Sequence, residues 1–341
     1  MIALGAQKRS QVEDLPAELY LEVTNRCNLK CRTCPQYFGM PEEFNDLTLE
    51  QVQGILDQLP VIKRVVLHGI GESIMNRELP TIVAATKARG AYTLFNANGT
   101  IFPKSRIRKV ISAGLDELRV SVDSASVETY KEIRGEPLFD KILENLAKLA
   151  EIKKDLGSET PRVSLWMTGL KTNIAELPEL VRVAANVGIR EVYLQRLVTS
   201  GRGLARKDLT LYSEEEGLES GRPEHEIIAE AEALGRELGV QLLGSGSVNA
   251  SNSVQRDFSG APWRACRRPW NLIYITAQGN VLPCCIAPFT VTPYPDLVLG
   301  NIFEQSVEEV WNGDAYLSWR SRMLDGAPPE PCAGCGVEWS L

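Results

Sequence analysis

Eight cysteines stand against two histidines in this chain of 341 residues, and the cysteines fall into two groups. Cys27, Cys31 and Cys34 are spaced C-x3-C-x2-C, and no other cysteine follows until Cys266. The second group is Cys266, Cys284, Cys285, Cys332 and Cys335. A secreted domain stapled by disulfides scatters its cysteines more densely, so two thiolate-rich ends with a bare middle read as two metal centres. Three thiolates on a tight loop hold three corners of a cube-shaped 4Fe-4S cluster and leave one iron open, because such a cluster takes four ligands. The alternatives are three free thiols or an incomplete zinc site, since structural zinc normally has four protein ligands and no histidine lies near. In the second group Cys266, Cys284, Cys332 and Cys335, spaced C-x17-C and C-x2-C, supply a whole second 4Fe-4S cluster, with zinc as the alternative.

These residues need elements to position them. Between the groups the pattern alternates strand and helix. Strands are expected at 17–24, 64–68, 92–95, 117–122, 162–168, 191–197 and 240–243. Helices are expected at 47–59, 78–89, 105–113, 126–133, 139–156, 174–185 and 224–238; Thr48 and Gln51 form a capping-box pattern at the first. Six or seven β/α repeats imply parallel strands with right-handed crossovers and chemistry at the strands' C-terminal ends. Polar and glycine-rich segments do follow the strands, at 25–34, 69–73, 96–100 and Asp123. The long polar segment 199–223 is a lid or a solvated insertion. Two strands at 271–276 and 281–285 form a hairpin, and a helical run covers 306–324.

Composition narrows the function. The net charge is −7 and the pI about 5.2, which argues against a nucleic-acid partner, because a phosphate groove needs concentrated positive charge. With 44% hydrophobic and 24% charged residues the chain is globular. No apolar run is long enough for a membrane helix, and Lys8 and Arg9 have no apolar core behind them as a secretory signal would. A cytoplasmic protein with no membrane partner is expected.

The triplet after the first strand resembles the radical S-adenosylmethionine enzymes. In that family the open iron binds the amino and carboxylate groups of S-adenosyl-L-methionine. One electron then splits the sulfonium, and the 5′-deoxyadenosyl radical released takes a hydrogen atom from the substrate. The resemblance implies an α/β fold, a partial (β/α)6 TIM-like barrel. Gly69-Ile70-Gly71-Glu72 resembles the family's glycine–glycine–glutamate motif, whose backbone and acid accept from the methionine ammonium. Asn96-Ala97-Asn98-Gly99-Thr100 resembles the asparagine–glycine segment beside the cofactor, so Asn98 is a candidate cofactor contact. Ser121-Val122-Asp123 resembles the ser-x-asp pattern, and strand alternation puts Ser121 and Asp123 on one side; helix capping by Asp123 or Ser124 is the alternative. Thr33 stands where the family often has an aromatic residue, and Ser73 where it often has proline.

The tail resembles the SPASM/Twitch extensions of that superfamily, through Gly279-x4-Cys284, Gly300-Asn301-Ile302 and Val310-Trp311-Asn312-Gly313. The chain ends six residues after Cys335, so the shortened Twitch form with one auxiliary 4Fe-4S cluster is expected. The implied organisation is an N-terminal extension at 1–16, a barrel at 17–246, a linker at 247–259 and a cluster-binding hairpin plus helix at 260–341.

Substrate residues should lie at strand ends. Trp166 and Thr168 share a side of the fifth strand, and one of Gln195 and Arg196 should face inward on the sixth. Arg196 suits an anionic or carbonyl-bearing group. His68 is a core histidine or a cavity residue. Cys285 is a buried core residue, a hydrogen-atom donor to a substrate radical as in some radical epimerases, or a ligand in place of Cys284. The expected activity is oxidation or epimerisation of a small polar, sugar- or cyclitol-like metabolite, with flavodoxin or ferredoxin as electron donor. The alternative is a peptide-modifying or protein-maturing enzyme, disfavoured because only about 16 residues precede the first strand. A non-enzymatic iron–sulfur carrier would leave the glycine–glutamate and ser-x-asp motifs unexplained.

Overall fold

Thr48 caps the first helix by the exchange its sequence predicts: Gln51 N–H donates to the Thr48 hydroxyl, and Thr48 N–H donates to the Gln51 side chain. The computed structural model describes residues 9–39, 42–211, 221–244, 249–253, 260–333 and 335. Its strands are β1 (Glu18–Leu21), β2 (Arg64–Leu67), β3 (Tyr92–Ala97), β4 (Glu117–Ser121), β5 (Arg162–Gly169), β6 (Glu191–Arg196), β7 (Gln241–Gly244), β8 (Leu272–Ile275), β9 (Asn280–Leu282) and β10 (Gly300–Asn301). Helices α1 (Leu49–Asp57), α2 (Leu79–Ala88), α3 (Lys104–Ser112), α4 (Val127–Arg134), α5 (Phe139–Leu156), α6 (Leu177–Asn186) and α7 (Glu224–Leu238) alternate with the first seven strands. The fold is α/β with an open barrel of parallel strands.

The chain divides into two compact units, the first made of Met1–Cys27, Met40–Phe95 and Asp257–Val337. In it β1 pairs in parallel with β2 on one side and with β8 on the other, and β2 pairs with β3. β8 and β9 form the expected antiparallel hairpin, and β10 adds to β9. The hairpin is therefore not freestanding: Tyr20 on β1 lies in register with Tyr274 on β8, and both are buried. A strap at residues 9–14 is tied down by indole and guanidinium donors. Trp270 Nε1 donates to Arg9 O, Trp311 Nε1 to Asp14 O and Arg320 Nη1 to Ser10 O. Asn312 exchanges two hydrogen bonds with the Val12 backbone. That use of Asn312 breaks the helical run expected at 306–324 into Val307–Trp311 and Asp314–Leu324.

The second unit comprises Asn28–Gly39, Asn96–Arg256 and Glu338–Leu341. Here β4, β5, β6 and β7 pair in parallel, with Ser121 beside Trp166 and Thr168 beside Gln195. One face of these strands is apolar and buried, through Leu118, Val120, Leu165, Met167, Val192 and Leu194. The other carries polar and aromatic side chains. Residues 199–211 of the expected lid are described; Leu204 and Ala205 join a core with Ile133, Leu170 and Leu197, and 212–220 lie outside the described residues. Of the expected linker at 247–259, only 249–253 is described, with a helical turn at Ala250–Ser253. Among the described residues no helix is long and apolar enough to cross a membrane.

Candidate active site

Buried Glu22 at the end of β1 anchors the glycine–glutamate segment. Its carboxylate accepts from Ile70 N–H and, at 3.2 Å, from Ala277 N–H. Burial pushes its pKa up to about 7, and these backbone donors hold it back from rising further. Gly69 and Gly71 are explained by the same packing. A Cβ on Gly69 would lie 2.3 Å from the Glu22 side chain, and one on Gly71 would lie 2.0 Å from the Thr24 carbonyl oxygen. The close approach that demands glycine is thus to β1's own continuation. Glu72 is buried; its N–H donates to Arg26 O, next to Cys27, and its carboxylate accepts from Ile74 N–H. Ser73, in place of proline, donates to Leu67 O. His68 is half-buried at the end of β2.

The second unit holds Cys31 and Cys34 through α4. Arg32 N–H donates to Ile133 O at 2.8 Å, and Arg134 Nη1 donates to Cys31 Sγ at 3.6 Å. Arg134 is buried and its Nη2 forms an ion pair with Asp123 at 2.5 Å. Burial alone would lower its pKa; the Asp123 carboxylate and the Cys31 thiol reverse that and raise it. Asp123 is fully engaged: Oδ1 accepts from Thr168 N–H at 2.7 Å, and its backbone, at φ 60°, has left the strand. Strand alternation therefore does not reach Asp123, and the α4 cap is Ser126, whose hydroxyl accepts from Thr129 N–H. Asn98 donates to Asn28 Oδ1 and accepts from Thr100, which fixes the residue after Cys27. Sequence reasoning missed Glu22, Asn28 and Arg134; the nearest available signal was Arg134-Gly135 at the end of a capped helix after the ser-x-asp segment.

The polar face of β4, β5 and β6 settles which candidates share a surface. Trp166 stacks on Tyr193 with ring centroids 4.3 Å apart, and the Arg119 guanidinium sits 4.6 Å from the Trp166 ring. Gln195 Nε2 donates to Thr168 Oγ1 at 3.3 Å. Ser121, Trp166, Thr168 and Gln195 thus belong to one face, and Arg196, beside Gly169 in register, belongs to the other.

The second cysteine group lines one partly open pocket in the first unit. Cys266 is buried and Cys284, Cys332 and Cys335 are half-buried, and the walls are prolines with Trp263 and Trp319. Burial pushes the Cys332 thiol up, as do the thiols of Cys284, Cys266 and Cys335; the nearby Trp319 acts in the opposite sense. β9 ends at Leu282, so Cys284 and Cys285 follow the strand and are not placed by its alternation. Cys285 is 3% exposed, and its sulfur accepts from Arg268 Nη1 at 3.2 Å. Burial raises its pKa, and Arg268 works against that rise.

Comparison with known proteins decides the family. The model of the radical SAM superfamily matches residues 21–194, slightly more than half the chain, and that of an iron–sulfur cluster-binding domain, SPASM, matches residues 266–336. The chain belongs to the radical SAM superfamily. It is 25% identical over 331 residues to the PqqA peptide cyclase of Granulibacter bethesdensis, covering 95% of this chain and 81% of that relative. The Fe-coproporphyrin III synthase of Methanosarcina barkeri is 30% identical over 220 residues, 62% of this chain and 53% of that one. Streptococcus suis SuiB, solved bound to S-adenosylmethionine, has a TM-score of 0.66 at 18% identity over 95% of this chain and 72% of SuiB. SuiB solved with its precursor peptide SuiA gives 0.65 at 18% identity, over 89% of this chain and 66% of SuiB. Membership makes this a radical S-adenosylmethionine enzyme whose cofactors are a 4Fe-4S cluster, S-adenosylmethionine and auxiliary iron–sulfur. The residues present fit that set: three thiols on one loop with the Arg134 guanidinium at Cys31, and four thiols lining one pocket, the full ligand count of a 4Fe-4S cluster.

Proposed function

We propose that this chain is a peptide-modifying radical S-adenosylmethionine enzyme. The observation that carries this reading is the extent of the likeness to the peptide cyclase, which runs through both the barrel and the cluster-binding tail, 95% of the chain. The sugar- or cyclitol-like substrate expected from the sequence gives way to its alternative. The short stretch before β1 does not count against a peptide. When bound, the cluster and S-adenosylmethionine supply a carbon radical that takes a hydrogen atom.

The chain's residues would divide the work as follows. Cys27, Cys31 and Cys34 hold the cluster. Arg134, held by Asp123, donates to the Cys31 sulfur and orients it. Gly69, Gly71 and Glu72 face the methionine ammonium, with Glu22 fixing their loop. Asn98 positions the cysteine loop through Asn28. Ser121, Trp166, Thr168 and Gln195 form the wall against which a peptide would lie, its amides matched by the hydroxyls and the carboxamide. Cys266, Cys284, Cys332 and Cys335 hold the auxiliary cluster. Cys285, buried on Arg268, packs the tail.

The test is 5′-deoxyadenosine release by the anaerobically reconstituted, reduced protein. A peptide pool should stimulate release and leave peptides of altered mass. Stimulation by polyols or aminocyclitols, with no response to peptides, would restore the small-molecule reading.

A further inference from the structure

Two indole side chains line the pocket of the four cysteines. Trp263 Nε1 is buried with no acceptor among the described residues, and Trp319 donates toward the Cys332 thiol; both line the pocket with Cys266, Cys284, Cys332 and Cys335. Their placement follows from the local fold. Trp263 lies on the single turn Pro262–Ala265, from which Cys266 N–H donates back to Trp263 O. Trp319 lies on the helix Asp314–Leu324 and is 7% exposed. A buried donor left unpaired costs about 1–3 kcal/mol, so Trp263 calls for an acceptor, and Trp319 already faces a ligand sulfur. The wall offers little besides sulfur: it has no carboxylate or amide side chain, and its one hydroxyl, Thr290, donates to Ala287 O.

We propose that Trp263 and Trp319 are positioning residues that donate N–H···S hydrogen bonds to the sulfurs of the auxiliary cluster and so raise its reduction potential. Reduction adds negative charge to those sulfurs, so a donor aimed at them stabilises the reduced form more than the oxidised one. The inference rests on the reading that these four cysteines hold the cluster. A net hydrogen bond of this kind changes the reduced-to-oxidised ratio at fixed potential about tenfold, or about 59 mV for one electron.

The test uses the full chain, reconstituted in a Cys27→Ala/Cys31→Ala/Cys34→Ala background so that only the auxiliary cluster is seen. Redox titration followed by electron paramagnetic resonance should show the midpoint falling about tenfold in ratio for Trp263→Phe and again for Trp319→Phe, with iron content unchanged. An unchanged midpoint with iron retained overturns the proposal. If a phenylalanine variant loses iron, the tryptophan-containing protein decides: its iron–sulfur stretching frequencies should shift in D2O, and their failure to shift overturns the proposal. Iron retained after Cys266→Ala/Cys332→Ala substitution would be a different failure, that of the ligand assignment itself.

Discussion

The two cysteine groups solve opposite problems. The first offers three thiols on one loop, which in the second unit is held by polar groups: the Arg134–Asp123 pair and the Asn28–Asn98 amides. The second offers four thiols around a pocket walled mostly by proline and apolar side chains. A cluster with an open iron needs exchangeable polar surroundings, and a closed one needs exclusion of water. One group therefore reads as the place of chemistry and the other as an electron site.

The sharpest way to break that contrast is to remove the four-cysteine site alone. A Cys266→Ala/Cys284→Ala/Cys332→Ala/Cys335→Ala variant should lose about half of the roughly eight irons two 4Fe-4S clusters contain, yet still cleave S-adenosylmethionine. Loss of cleavage together with the iron would show that the two sites are not separable.

Next in size is Arg134→Gln. Removing one partner of a buried ion pair leaves Asp123 uncompensated and should cost about 3–5 kcal/mol in denaturant titration. It should also slow cluster loading at Cys31. An Arg134→Gln protein as stable as wild type would mean that the pair does not organise the first site.

Glu22 supplies the pH test. Its folded pKa, raised to about 7 from 4.5, means the folded state binds a proton that the unfolded state has lost. Stability should therefore be full below about pH 4.5 as far as this group is concerned, and should decline as pH rises to about 7, by on the order of 3 kcal/mol. Glu22→Gln should flatten that part of the curve; an unchanged slope would place the titration elsewhere.

The smallest effect is expected from Gly71→Ala, whose methyl would meet the Thr24 carbonyl oxygen at 2.0 Å. A backbone shift costing about 1–3 kcal/mol should appear as a lowered Tm, with weaker S-adenosylmethionine binding. If the substitution is silent, the loop's glycine requirement has another origin.

The same contrast explains what could be read from the sequence. The first site's ligands lie within eight residues, and the elements around them announce themselves locally: the Thr48 capping box and the spans of α5 and α7 appear where their patterns put them. Strand alternation worked as far as regular strand extended. It grouped Trp166 with Thr168, and the register then chose Gln195 over Arg196. It failed at Asp123, where a left-handed residue ends the strand, and at Cys285, which lies beyond β9. Arg134, Arg268 and the two tryptophans were illegible for a different reason. Their significance comes from burial beside a distant sulfur or inside a cavity, and no local pattern encodes that. The joining of β8 to β1 is a pairing across the length of the chain, equally beyond periodicity.

The most direct test of the account is the Cys27→Ala/Cys31→Ala/Cys34→Ala protein, assayed for iron and for 5′-deoxyadenosine after anaerobic reconstitution and reduction. The account predicts retention of about half the iron, in the four-cysteine site, and no cleavage of S-adenosylmethionine above the protein-free background. Cleavage at the wild-type rate would contradict it.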